Sequence, residues 1–117
     1  MRSGDALVVR GGWDYPANRV RHLPGMTLDA VAWMHRHDVA VYAGDIGDAH
    51  SPIDPRVPGP LHRVALPRLG MPLIDVANPN ELAAACAEEG RATFLFVAAP
   101  LPRPAASGVP VNPLAIF

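Results

Sequence analysis

Twelve of the fourteen prolines in this 117-residue chain follow residue 50, and no other feature restricts its architecture as strongly. Proline donates no backbone hydrogen bond and holds φ fixed, so central strands and helix interiors tolerate it poorly. The second half of the chain must therefore combine short regular elements with proline-dense loops. Such loops make few ladder bonds of their own and are laid against other structure.

Half of the residues are hydrophobic and 18% are charged, the balance of a globular protein rather than a disordered one. A chain of this length forms one domain, or part of one, and buries roughly two-thirds of its unfolded surface. The net charge is −1 and no basic cluster is present, which leaves no electrostatic footprint for nucleic acid. No apolar stretch approaches the ~20 residues that span a bilayer. The segment Met-Arg-Ser-Gly-Asp leads into a strand-like run rather than a signal-peptide core, so a cytoplasmic location is expected. All ten basic residues are arginine, a feature of coding bias rather than mechanism. The one cysteine, Cys86, excludes an internal disulfide. Lying among alanines, with Glu88 and Glu89 nearby, it reads as a buried structural thiol rather than a nucleophile.

Hydrophobic pattern and punctuation give an alternating series. Ala6–Arg10 reads as a strand and 11–26 as a loop. Thr27 caps a helix over Leu28–Arg36, with Asp29 in its first turn and Leu28, Val31 and Met34 on one apolar face. Residues 38–45 read as a strand of a parallel sheet, 46–60 as a long loop, and 61–69 as a short helix or turn. "PLIDV" follows as a strand. Asn78-Pro79-Asn80-Glu81 opens a helix that runs to about Glu89, where Gly90 stops it. "ATFLFVAAP", 92–100, is the clearest strand, and the tail beyond it reads as a loop that packs back. Strands alternating with helices make the class α/β. No repeat or linker divides the chain, so 1–117 is expected to be a single domain or part of one.

Glycine-rich phosphate loops, the G-x-S-x-G elbow and C-x-x-C are all absent, which leaves nucleotide-binding, α/β-hydrolase and thioredoxin readings without support. His35 and His37 fall two apart on a helix and face apart, so they read as a solvated helix end. His22 lies in a loop. Asp45, Asp48 and His50 follow a strand, where open α/β sheets place ligand groups; as residue types they suit a cation or an ordinary turn, and the turn reading is favoured. His62 and Asp75 are of the same kind. Imidazole and carboxylate suit Zn²⁺ or Mn²⁺, and Asp75 interrupts an apolar run where an unpaired charge is costly. Two ligands do not make a site, however, and on residue types alone a surface histidine and a turn aspartate is the favoured reading.

The order of segments narrows the choice. "GDALVVRGGW" resembles the G-D-x-x-L-x-R-T-G strand of the cyclase-family metal-dependent hydrolases, which include kynurenine formamidases (arylformamidases) and isatin hydrolase. "PGMTLDAVAWMHRHDVAVYAGDIGDA" resembles that family's P-G-L, helix, W-L and V-x-x-x-G-x-D stretch. "LHRVALPRLGMPLIDVANPNEL" resembles its H-R-x-x-L…G…E-N-L segment, and "FLFVAAPLPRPAASGVPVNPLAIF" its F-x-x-x-P-L…T-G-S-P ending. The resemblance covers nearly the whole chain, but only the C-terminal half of the family's pattern. It implies an α/β, swivelling β/β/α-type fold, here a partial domain, around Zn²⁺ or Mn²⁺. The implied activity is hydrolysis of an amide, N-formyl or lactam bond in a small-molecule substrate. His62 matches the downstream histidine ligand and Asp75 the downstream acidic ligand, usually glutamate; aspartate keeps the charge and shortens the reach by one methylene. Ser107-Gly108-Val109-Pro110 stands where the family has Thr-Gly-Ser-Pro. The family's main metal motif, H-x-G-T-H-x-D-x-P-x-H, has no counterpart here. The expectation is thus half of a metal site on the C-terminal part of a longer protein, inactive alone, whose partner is the missing N-terminal half or further copies in a homo-oligomer. The resemblance leaves catalytic and substrate-binding residues unassigned. The alternatives are a non-catalytic oligomerising or binding module, and a decayed fragment with exposed apolar surface.

Overall fold

The apolar run Ala6–Val9 forms β1, as its β-branched residues dictate. The computed structural model describes residues 1–13 and 24–117; His22 and much of the loop expected over 11–26 lie outside the described residues. The described chain divides into two compact units, Met1–Pro79 and Asn80–Phe117.

In the first unit a two-residue strand, β2 (Gly25–Met26), leads into α1 (Leu28–Arg36). Thr27 caps α1 as its sequence requires: its backbone is extended and its Oγ1 accepts from the Ala30 N–H at 3.3 Å. Asp54, 26 residues downstream, accepts the Leu28 N–H at 2.8 Å and so satisfies a second open donor of the first turn. β3 (Val41–Gly44) follows, shorter than the expected 38–45 because Asp38 turns the chain with φ 50. β3 is the centre of a three-stranded parallel sheet. It pairs with β1 from Ala6↔Val41 to Val9↔Gly44, and on its other edge with β5 (Leu73–Ile74) at Tyr42↔Leu73 and Ala43↔Ile74. Inside the expected 46–60 loop lies one more two-residue strand, β4 (Gly47–Asp48), parallel to β2.

The expected short helix at 61–69 is a π-helical turn, Leu61–Ala65, running into α2 (Leu66–Leu69). The Leu66 N–H reaches back to the Leu61 carbonyl. Pro67 accounts for the wide turn, since it offers no N–H and its ring needs room before the preceding carbonyls. Gly70, at φ 65, ends α2. Val31 and Met34 of α1, Val39, Tyr42 of β3, Leu61 and Ala65 of the π turn, and Met71 form one buried cluster. Sheet, helix and π turn are locked together at that cluster.

The second unit holds α3 (Asn80–Glu88), stopped by Gly90 at φ 65, and an antiparallel ribbon of β6 (Leu95–Val97) and β7 (Leu114–Ile116). The strand expected over 92–100 contracts to three residues, and the expected tail loop supplies its partner. Cys86 lies on α3 and is half-buried rather than fully buried; no residue of that helix is fully enclosed. Phe94 and Phe117 meet at 5.5 Å, and the Arg91 guanidinium lies over the Phe117 ring at 5.4 Å. Among the described residues, no helix is long and apolar enough to cross a membrane.

Candidate functional site

His62 and Asp75 meet. His62 sits one residue into the π-helical turn, beside the buried Leu61 that anchors the turn in the core. Asp75 lies just past the end of β5, in a turn rather than within the strand as the sequence suggested. This is the carboxyl end of a parallel strand, where α/β sheets gather ligand groups. The His62 Nε2 lies 2.9 Å from Asp75 Oδ2. The other carboxylate oxygen, Oδ1, is buried and has no hydrogen-bond partner among the described residues. A polar atom in that state is costly unless a ligand completes it.

The opposite ring nitrogen engages a third residue. His62 Nδ1 lies 2.6 Å from Asp48 Oδ2, and Asp48 Oδ1 accepts the Leu61 backbone N–H. Asp48 ends β4, and its position depends on the pairing Gly25↔Gly47 and Met26↔Asp48. At Gly25 a Cβ would fall on the Asp48 and Ala49 backbone, so only glycine lets the two short strands close. Partial burial opposes charge on the His62 ring. The hydrogen bond the ring donates to Asp48, the negative charges of Asp75 and Asp48 and the hydrogen bond to Asp75 outweigh that and raise its pKa above the ordinary histidine value.

Imidazole nitrogen and carboxylate oxygen form a donor set for Zn²⁺ or Mn²⁺. Nε2 and Oδ2 lie side by side, and the unpartnered Oδ1 is the kind of atom a cation would satisfy. These residues fit a divalent ion as part of a ligand set. Asp48 cannot complete it, since it contacts the far side of the ring. Among the described residues no group of three or more His, Cys, Asp or Glu is placed to hold an ion.

The remaining candidates separate by role. Asp45 is buried, and its two oxygens accept the backbone N–H groups of Gly11, Gly12 and Trp13 at 2.6, 2.8 and 3.0 Å. It ties a loop down. His50 is exposed. His35 and His37 are exposed at the end of α1, where the His37 ring stacks on Trp33 at 4.1 Å and its Nδ1 lies 2.9 Å from the Trp33 carbonyl. Sequence reasoning grouped Asp48 with Asp45 and His50 as a turn residue and missed its contact with His62. Strands of two residues carry no periodicity, so nothing local placed Asp48 beside the π turn.

The chain is similar to a solved structure described as a novel cyclase, at 33% sequence identity and a TM-score of 0.77. The match covers 100% of this chain and 41% of that one, so the chain spans less than half the length of this neighbour. No family model and no curated protein matches it. The chain thus resembles part of a cyclase-family protein, with a mixed α/β fold built on parallel strands.

Proposed function

We propose that this chain is the C-terminal portion of a cyclase-family metal-dependent hydrolase, arylformamidase-like, that cleaves a C–N bond in a small amide, N-formyl or lactam substrate and is inactive alone. The swivelling β/β/α-type fold, Zn²⁺ or Mn²⁺ as the ion and a cytoplasmic location belong to the same reading. One observation carries it: His62 Nε2 and an Asp75 carboxylate with an unsatisfied buried oxygen face each other at the carboxyl end of β5, in a chain similar to a cyclase.

His62 and Asp75 would hold the ion from one side, with the other ligands supplied by an N-terminal half or a neighbouring copy. When bound, a divalent ion polarises a scissile carbonyl and makes water acidic enough to supply a nucleophile at neutral pH. Asp75 would contribute negative charge that offsets the ion's own.

The test is titration of the chain with Zn²⁺ and with Mn²⁺, followed by an assay on an N-formyl aryl amine. The expected result is weak binding that falls by about tenfold or more, ~1.4 kcal/mol, in His62→Ala and in Asp75→Ala, with no turnover. A tight complex with hydrolase activity in the isolated chain would overturn the half-site reading. Metal indifference in all three proteins would overturn the metal reading altogether. A second reading, a non-catalytic oligomerising module, is favoured by the apolar face of the β6–β7 ribbon, where Leu95, Val97, Leu114 and Ile116 are all exposed. It requires a stable oligomer that chelator leaves unchanged.

A further inference from the structure

Asp48 belongs to neither metal-ligand position, yet it is the most firmly held acid around His62. Its side chain is 10% exposed. The β4 backbone beneath it is fixed by the pairing with β2 and by the Ala49 N–H, which donates to the Met26 carbonyl at 3.0 Å. Gly59, at φ 72, closes over the carboxylate: a Cβ there would lie 3.3 Å from Asp48 Oδ2. One oxygen is committed to the Leu61 N–H, so the other has a single direction in which to accept, toward His62 Nδ1.

A carboxylate oxygen only accepts, so the charged His62 ring donates from both nitrogens, to Asp48 Oδ2 at 2.6 Å and to Asp75 Oδ2 at 2.9 Å. A neutral ring keeps one of these protons. The shorter contact, to the more buried and more tightly held carboxylate, keeps it on Nδ1. Nε2 then gives up its proton, and its lone pair and Asp75 Oδ2 both face the position a cation would take.

We propose that Asp48 is a positioning residue that sets the His62 tautomer and so selects Nε2 as the nitrogen offered to a divalent cation; the cation clause rests on the reading above. Partners of this kind on a ligating histidine alter metal affinity by roughly 10–100-fold. The informative variant is Asp48→Asn. It keeps the shape and one oxygen for the Leu61 N–H, but places an NH₂ against Nδ1. The ring must then accept at Nδ1 and carry its proton on Nε2, where it blocks the cation position. The reverse amide orientation would set its NH₂ against the Leu61 N–H and is disfavoured.

The measurement is NMR of isotope-labelled histidine, reading the tautomer from two-bond proton–nitrogen couplings at alkaline pH, where the ring is neutral. Zn²⁺ titration of the same samples accompanies it. Wild-type His62 is expected as the Nδ1–H form and Asp48→Asn as the Nε2–H form, with Zn²⁺ affinity reduced by about 10–100-fold and the thermal midpoint little changed. An Nε2–H ring in the wild type overturns the assignment without any variant. A wild type that binds Zn²⁺ through His62, with tautomer and affinity unchanged in Asp48→Asn, overturns the role of Asp48 alone. A tautomer switch in a chain that binds no Zn²⁺ removes the metal reading and leaves Asp48 as the residue that sets the ring.

Discussion

Val76 follows Asp75 directly, has φ 54 and is 62% exposed. A β-branched residue in the left-handed region is strained, and here little packing offsets it. The strain lies in the turn that presents the Asp75 carboxylate to His62. Asparagine tolerates that conformation far better. Val76→Asn is expected to raise stability by about 1 kcal/mol, read as a higher urea midpoint at unchanged slope; a lower midpoint would mean that the valine side chain contributes more than the backbone costs. Asp54 makes a second residue-scale case. The hydrogen bond from Arg56 and the Leu28 N–H hold its pKa well below the ordinary carboxylate value, against the desolvation that raises it. A depressed folded-state pKa stabilises the fold above the unfolded value and loses that contribution as pH falls. Acid should therefore destabilise the wild type from about pH 4 downward, and Asp54→Asn should have a lower thermal midpoint at neutral pH and a flatter response to acid. Equal slopes in the two proteins would exclude Asp54 as a source of acid sensitivity. His62 and Asp75 were legible as candidates because the chemistry that singles them out is intrinsic to the side chain, and the structure brings the two together. The contact of Asp48 with the other ring nitrogen was not legible, because no residue type encodes which nitrogen a carboxylate meets.

Elements were legible where a single segment carries its own signals. Thr27, Asp29 and the Val31/Met34 spacing specify α1 to the residue, since caps and periodicity act within one turn. The run 92–100 misled for the opposite reason: apolar β-formers extend along it, yet pairing ends where β7 has only three residues to offer. β2 and β4 were invisible, being two residues each and stabilised by each other. Their contact depends on Gly25, and the site depends on their contact. Gly25→Ala should press a methyl group into the Asp48 and Ala49 backbone, cost about 1–3 kcal/mol as overpacking, and displace the carboxylate from His62. Chemical denaturation would read the first effect and the His62 ring signals the second. A destabilised protein with unchanged His62 signals would show that Asp48 holds its place without β2.

At the scale of the whole chain, resemblance carried information that periodicity could not, because the order of four segments along 117 residues is a longer signal than any one of them. The fully buried apolar cluster lies in the first unit, around Met34, Tyr42 and Leu61, while the second presents a ribbon with one bare apolar face. In that ribbon Leu95 lies opposite Ile116 and Val97 opposite Leu114, so all four side chains project from the same side, and each is exposed. A patch of this kind on a small domain attracts a dye, a second chain or an aggregate. Replacing Leu95 and Ile116 together with threonine keeps β-propensity and removes most of the apolar area of the pair. The double variant is expected to bind less anilinonaphthalene sulfonate and to sediment as a smaller species at equal concentration, with far-ultraviolet circular dichroism unchanged. A variant that binds the dye as strongly as the parent would place the chain's adhesive surface away from this ribbon.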